Sequence, residues 1–131
     1  MNIGVKSIFR FVPMVVVMGT IYLLSAQPGD SLSLPQLPGV DKLAHMAIYG
    51  VLALSILFAF SESAKKNDLK RVILVTVSCS ILYGITDELH QAFVPGRDSS
   101  ILDLLADSLG AVTVCLFYIF RREIRRTLMI H

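Results

Sequence analysis

The sequence predicts an all-α fold, a four-helix transmembrane bundle with both termini in the cytoplasm. Three observations predict it. Of the 131 residues, 54% are hydrophobic and only 17% are charged, with a mean hydropathy of +0.68. That is too little polar surface to cover a soluble domain of this size. Four apolar segments approach the length of about 20 residues that a helix needs to cross the hydrocarbon core. The basic residues, finally, fall almost entirely on one side of those four spans, as cytoplasmic loops require.

The first segment covers residues 8–26, through Val15-Val16-Val17 and Ile21-Tyr22-Leu23-Leu24. Pro13 is compatible with a first helical turn. Lys6 and Arg10 ahead of an apolar run also suggest a secretory leader. Leu24, however, stands where cleavage before Gln27 needs a small residue, so a retained helix is expected. The second, third and fourth helices are predicted over about 42–60, 72–91 and 101–120, joined by residues 27–41, 61–71 and 92–100. No internal repeat or low-complexity tract interrupts the chain, and residues 1–131 read as a single domain.

Charge gives the orientation. Of the 12 basic residues, Lys6, Arg10, Lys65, Lys66, Lys70, Arg71, Arg121, Arg122, Arg125 and Arg126 share one side, and only Lys42 and Arg97 take the other. The first side is expected to be cytoplasmic, where its basic runs set topology and meet anionic lipid. Of the 10 acidic residues, Asp30, Asp41, Asp87, Glu88, Asp98, Asp103 and Asp107 fall outside, against Glu62, Asp68 and Glu123 inside. A net charge of +2 is too small to suggest nucleic-acid binding. Cys79 and Cys115 lie in apolar runs and suggest neither a disulfide framework nor a thiolate metal site.

The informative residues gather at the outer helix ends. At 1.5 Å per residue, His45, Asp87 and Glu88 lie roughly 5 Å below the outer boundary, with Asp103 about 3 Å and Asp107 about 9 Å in. The spacings i, i+4, i+8 put Asp41, His45 and Tyr49 on one face and Tyr83, Asp87 and Gln91 on another. Asp103 and Asp107 share a third face. The short connection with its Pro95-Gly96 turn makes the third and fourth helices antiparallel neighbours. Ser80 with Gly84, and Ala106 with Gly110, are small-residue pairs that permit their close approach. Ser100 is placed to cap the fourth helix, with Asp103 in its first turn. His90, at the exit of the third helix, reads as solvated. Tyr49 and Tyr83 read equally as pocket walls or as interfacial anchors.

A carboxylate at the centre of a membrane helix costs roughly 2.5–3.5 kcal/mol on insertion scales, and less near an end. Asp41, Asp87, Glu88, Asp103 and Asp107 therefore need company: Lys42 and Arg97, protons, a cation or a hydrated cavity. One reading is an ion-pair network that ties the helices together. The other, which the excess of carboxylates over cations favours, is a pocket with Arg97 as internal counter-ion. Its candidate ligand-binding residues are Asp41, Lys42, His45, Tyr49, Asp87, Glu88, Gln91, Arg97, Asp103 and Asp107. His45, Asp87 and Glu88 are the candidates for catalysis, and with Asp103 for a divalent metal. A metal is possible, though ligand binding does not require one. No HExxH, P-loop, GxGxxG or GxSxG pattern occurs.

Several of these residues stand in longer motifs. Asp41-Lys42-Leu43-Ala44-His45 followed by Tyr49 resembles the D-K-x-x-H-x-x-x-Y signature of the VanZ-like family. Gly84-Ile85-Thr86-Asp87-Glu88-Leu89-His90-Gln91, then Phe93-Val94-Pro95-Gly96-Arg97, then Asp103, Asp107 and Gly110, resembles its second motif. Ser25-Ala26-Gln27-Pro28-Gly29 resembles the family's S-x-Q-P-G. The resemblance implies a multi-pass protein of the bacterial cytoplasmic membrane, in a family whose name member is associated with low-level resistance to teicoplanin. It implies site roles for Asp41, Lys42, His45, Tyr49, Asp87, Glu88, Gln91, Arg97 and Asp103. Asp107 departs from it, because the family's usual residue there is Asn.

Two functions from different classes follow. The first is an envelope protein that binds a lipid-linked or amphiphilic ligand at the outer leaflet, such as a cell-wall precursor or the acyl tail of a lipoglycopeptide. The alternative is a membrane-embedded, metal-dependent hydrolase or transferase acting on a lipid head group. A proton-coupled transporter is a third and weaker reading, since four short helices would have to oligomerise to form one.

Overall fold

The structure, a computed structural model, describes residues 8–29 and 39–129. Lys6 and Asp30, used above for orientation, lie outside the described residues. Among those described, every regular element is helical. A 3-10 turn at Phe9–Phe11 leads into α1, Val12–Ser25. There follow α2 (Val40–Ala59), α3 (Glu62–Asn67), α4 (Leu69–Gln91) and α5 (Ile101–Leu128). Helices α2, α4 and α5 are each long and apolar enough to cross a membrane, and the apolar stretch Phe9–Ser25 is shorter.

The ends of the elements follow from local chemistry. Pro13 sits in the first turn of α1, where its missing N–H costs nothing. Gly39 precedes α2 with φ at 85°, a left-handed conformation that suits glycine. Asp68 caps α4 by accepting from the Arg71 N–H at 3.0 Å, and Ser100 caps α5 by accepting from the Leu102 N–H at 3.2 Å. The expected loop 61–71 instead contains α3, which Ser61 caps through the Ala64 N–H at 3.1 Å. The fourth predicted helix does not end near residue 120. It runs two turns further, because Arg121 to Leu128 contains no helix breaker and ends in basic residues that suit a helix C-terminus.

The bundle differs from a soluble protein in what it exposes and in the charged groups it buries at one end. Leu23, Leu54, Phe58, Leu74, Leu82, Leu109 and Phe117 are exposed around its girth, while Asp87, Glu88, Asp103 and Asp107 are buried. Such a distribution suits helices that stand in lipid. The interior has two apolar clusters. Ile21, Tyr49, Leu52 and Ile56 join α1 to α2, with Tyr83 of α4 packed against them. Leu57, Val72 and Cys115 join α2, α4 and α5 nearer the other end.

Because lipid is as apolar as the side chains, close backbone approach has to hold the helices together. The tightest approach is between α2 and α5. A Cβ on Gly110 would overlap the Met46 carbonyl, and one on Gly50 would meet Val114 Cγ2 at 3.3 Å. This corrects the expected role of Gly110, which faces α2 rather than the Ser80–Gly84 face of α4. Gly84 does face α5, where a Cβ would meet Asp107 Oδ2 at 3.1 Å.

Candidate functional site

Four helices bring their polar residues to one end of the bundle. Helices α2 and α5 enter there and run parallel, so ion pairs form in register between them. Lys42 Nζ lies 2.6 Å from Asp103 Oδ1 and 2.6 Å from Asp41 Oδ2. One turn deeper, His45 Nδ1 lies 2.9 Å from Asp107 Oδ1. Asp107 is 1% exposed, and its fit depends on the absent side chain of Gly84.

Helix α4 ends in the same layer. Asp87 accepts from Ser25 Oγ at one oxygen and from Gln91 Nε2, 3.1 Å away, at the other. Gln91 Nε2 also reaches Ser25 Oγ at 3.3 Å, closing a buried triangle between α1 and α4. Glu88 Oε2 accepts from the backbone N–H of Ser100 at 2.7 Å, fastening the end of α4 to the start of α5. Its other oxygen, Oε1, is buried and makes no hydrogen bond among the described residues; the same holds for Asp107 Oδ2.

Between α1, α2 and α4 lies a cavity of about 140 Å³. Asp41, His45, Asp87, Gln91 and Arg97 give it polar walls. Ile21, Leu24 and Ile48 give it an apolar one, with Tyr49 buried beneath. Of the ten residues singled out in the sequence, six line this cavity. Lys42, Glu88, Asp103 and Asp107 lie in the adjoining ion-pair layer.

Three expectations change. Arg97 is not a counter-ion to the carboxylates. Its Nη2 donates to the Leu24 carbonyl at 2.8 Å and its Nε to the Gln27 carbonyl at 3.3 Å. Leu24 lies in the last turn of α1 and Gln27 just beyond it, at the negative end of the helix dipole, which a guanidinium complements. His90 is not simply solvated: its ring is half-buried and lies 4.9 Å from that of Tyr22. Among the described residues the metal-type grouping is His45, Glu88 and Asp107, whose candidate ligand atoms lie within 4.8 Å of one another. Asp87 and Asp103, expected in that set, already have their partners in Ser25, Gln91 and Lys42.

Ser25 is a site residue that spacing alone does not reveal. A serine near a helix exit looks ordinary, and only its place in the S-x-Q-P-G motif marks Ser25. The same motif supplies Gly29, whose N–H donates to the Pro95 carbonyl at 3.3 Å. A Cβ there would overlap Gly96. The exit of α1 is thereby seated on the turn between α4 and α5.

These features define a class: a multi-pass helical membrane protein with an ionisable interior at one end of its bundle. The chain belongs to the VanZ/LLP1 family, whose model matches residues 2–122. The match covers all three motifs quoted from the sequence. No curated protein and no solved structure matches the chain.

Proposed function

We propose that the polar end of the bundle faces the outer leaflet of a bacterial cytoplasmic membrane and binds the head group of a lipid-linked or amphiphilic envelope molecule. Residues 1–131 form one domain with both ends in the cytoplasm. The supporting observation is the cavity itself, with ionisable groups on one side and Ile21, Leu24 and Ile48 on the other. Such a lining suits a molecule with a charged end and an apolar body. Arg97, which lines the cavity and is braced by two carbonyls, is a cation held ready for a phosphate or carboxylate, and Lys42, paired with Asp41 and Asp103, stands in the layer beside it. Teicoplanin, whose resistance is associated with the family's name member, carries an acyl tail and fits this class.

The test is a titration of the purified full chain in nanodiscs with teicoplanin and with a short-chain polyprenyl phosphate. Binding of either should fall at least tenfold in Lys42→Ala and Arg97→Ala and be indifferent to chelator. Equal affinity in both variants and the parent would reject the proposal.

A second reading rests on the His45, Glu88 and Asp107 grouping and its two carboxylate oxygens without hydrogen bonds. A divalent cation there would satisfy both oxygens and activate a water for attack on a head-group ester. Elemental analysis of the purified protein distinguishes the two. Near-stoichiometric metal, lost in Glu88→Gln, supports this second reading, and background metal in the parent protein rejects it.

A further inference from the structure

At the end of the bundle opposite the carboxylates, α2, α3 and α5 enclose a groove of about 520 Å³. The two-turn extension of α5 beyond Phe120 builds it, carrying basic residues roughly 12 Å past the predicted end of the span. Leu54, Val114, Phe117 and Met129 supply an apolar floor, and Tyr118 lies among them. Lys66, Arg121, Arg125 and Arg126 supply the rim.

Part of the basic set is structural. Lys65 is buried with its Nζ 2.8 Å from Glu62 Oε1, and its carbonyl accepts from the Arg122 guanidinium, which ties α3 to α5. That hydrogen bond from Lys65 also holds the Glu62 carboxyl below the usual carboxylate range, so the one acid lining the groove is already engaged. Arg126 pairs with Glu123 at 3.3 Å. Arg121 and Arg125, in contrast, form no ion pair among the described residues, and neither does Lys66, whose charge nonetheless acts on Glu62 from a distance. The Phe117 ring centre lies 5.9 Å from the Arg121 guanidinium carbon.

Three cations with no ion pair among the described residues, beside a floor of apolar side chains, match a ligand that is anionic at one end and apolar at the other. A soluble anion leaves the floor empty, and a neutral lipid leaves the rim uncompensated. The volume accommodates a head group and the first part of a chain, and the rim stands where helix ends leave the hydrocarbon. We propose that this groove holds one anionic phospholipid of the surrounding membrane, its phosphate among Lys66, Arg121 and Arg125 and an acyl chain along Leu54, Val114 and Phe117. This site is separate from the cavity at the other end and does not depend on the function proposed for it.

The test uses the full chain in neutral detergent, titrated with dioctanoyl phosphatidylglycerol, dioctanoyl phosphatidylcholine or inorganic phosphate and read by native mass spectrometry. The parent should retain one phosphatidylglycerol per chain and bind it at least tenfold more tightly than either alternative. Arg121→Gln with Arg125→Gln should weaken it about 30-fold, the sum of two cations near a lipid surface. Lys70→Gln with Arg71→Gln removes the same charge from the same end of the bundle outside the groove and should change affinity less than about twofold. Leu54→Trp fills the groove, keeps every charge and should also weaken binding. Equal losses in the two charge variants would mean diffuse attraction and overturn the proposal. So would phosphate binding as tightly as the lipid, or unchanged affinity in Leu54→Trp.

Discussion

His45 Nδ1 lies 2.9 Å from Asp107 Oδ1, and this contact joins residues 62 positions apart on two parallel helices. It lies one turn deeper than the contact of Lys42 with Asp103, so α2 and α5 meet through a salt bridge and then a hydrogen-bonded histidine–aspartate pair before their glycines close together. Asp107→Asn keeps the volume and an oxygen that can accept from His45. Its thermal midpoint in detergent should stay close to that of the parent. Asp107→Ala leaves the imidazole without its partner and should cost about 1–3 kcal/mol. Equal midpoints for Asp107→Ala and the parent would remove the pair from the stability of the bundle.

Glycine substitutions should separate two positions that look alike in the sequence. A Cβ at Gly110 runs into the Met46 carbonyl, and backbone cannot swing aside as a side chain does. Gly110→Ala should therefore lose about 1–3 kcal/mol through overpacking. Gly19 has open space around its Cβ position, and Gly19→Ala should be neutral or slightly stabilising because alanine is the better helix former. Both are read by thermal unfolding of the purified protein.

Ser25→Ala should expose how much the Asp87 triangle contributes. The hydroxyl donates to a buried carboxylate that otherwise has Gln91 at its second oxygen. Removing it leaves a buried acceptor short of a donor, at a cost of about 1–3 kcal/mol. Ser25→Thr keeps the donor and should recover most of the loss, which a change in helix propensity would not produce.

Arg97→Lys retains charge but gives up the planar fork that serves two carbonyls at once. Hydrogen exchange should quicken at Ala26 and Gln27, the exit of α1, and remain unchanged in the middle of α4. Protection equal to that of the parent would show that the exit is held by other contacts.

Topology can be read directly. Reporter fusions at Lys66 and at Gly96 should report opposite compartments, with the Lys66 fusion cytoplasmic. Fusions on the same side would overturn the orientation proposed from the distribution of basic residues.

Hydropathy and the sorting of charge made the long helices legible, because crossing lipid imposes a length and a composition that soluble folds do not. The shallow layer of His45, Asp87, Glu88, Asp103 and Asp107 was legible for a related reason. A polar group inside a membrane stands out against its neighbours, and its depth can be counted along a helix. Helix α3 and the extension of α5 were not legible in this way, since both lie where hydropathy gives no signal. Capping by Ser61 and the absence of a breaker after Phe120 decide them.

The sequence by itself determined the membrane class, the motifs and the set of ionisable residues at one end, since these depend on identity and spacing along single helices. Only the tertiary structure decided the partners. Lys42 takes Asp103, His45 takes Asp107, Asp87 takes Ser25 and Gln91, and Arg97 turns to the carbonyls of α1. The physical reason is that helical periodicity gives a residue's face, whereas its partner depends on how neighbouring helices are rotated and offset. Here contacts such as that of Gly110 with Met46, far apart in the chain, set that arrangement.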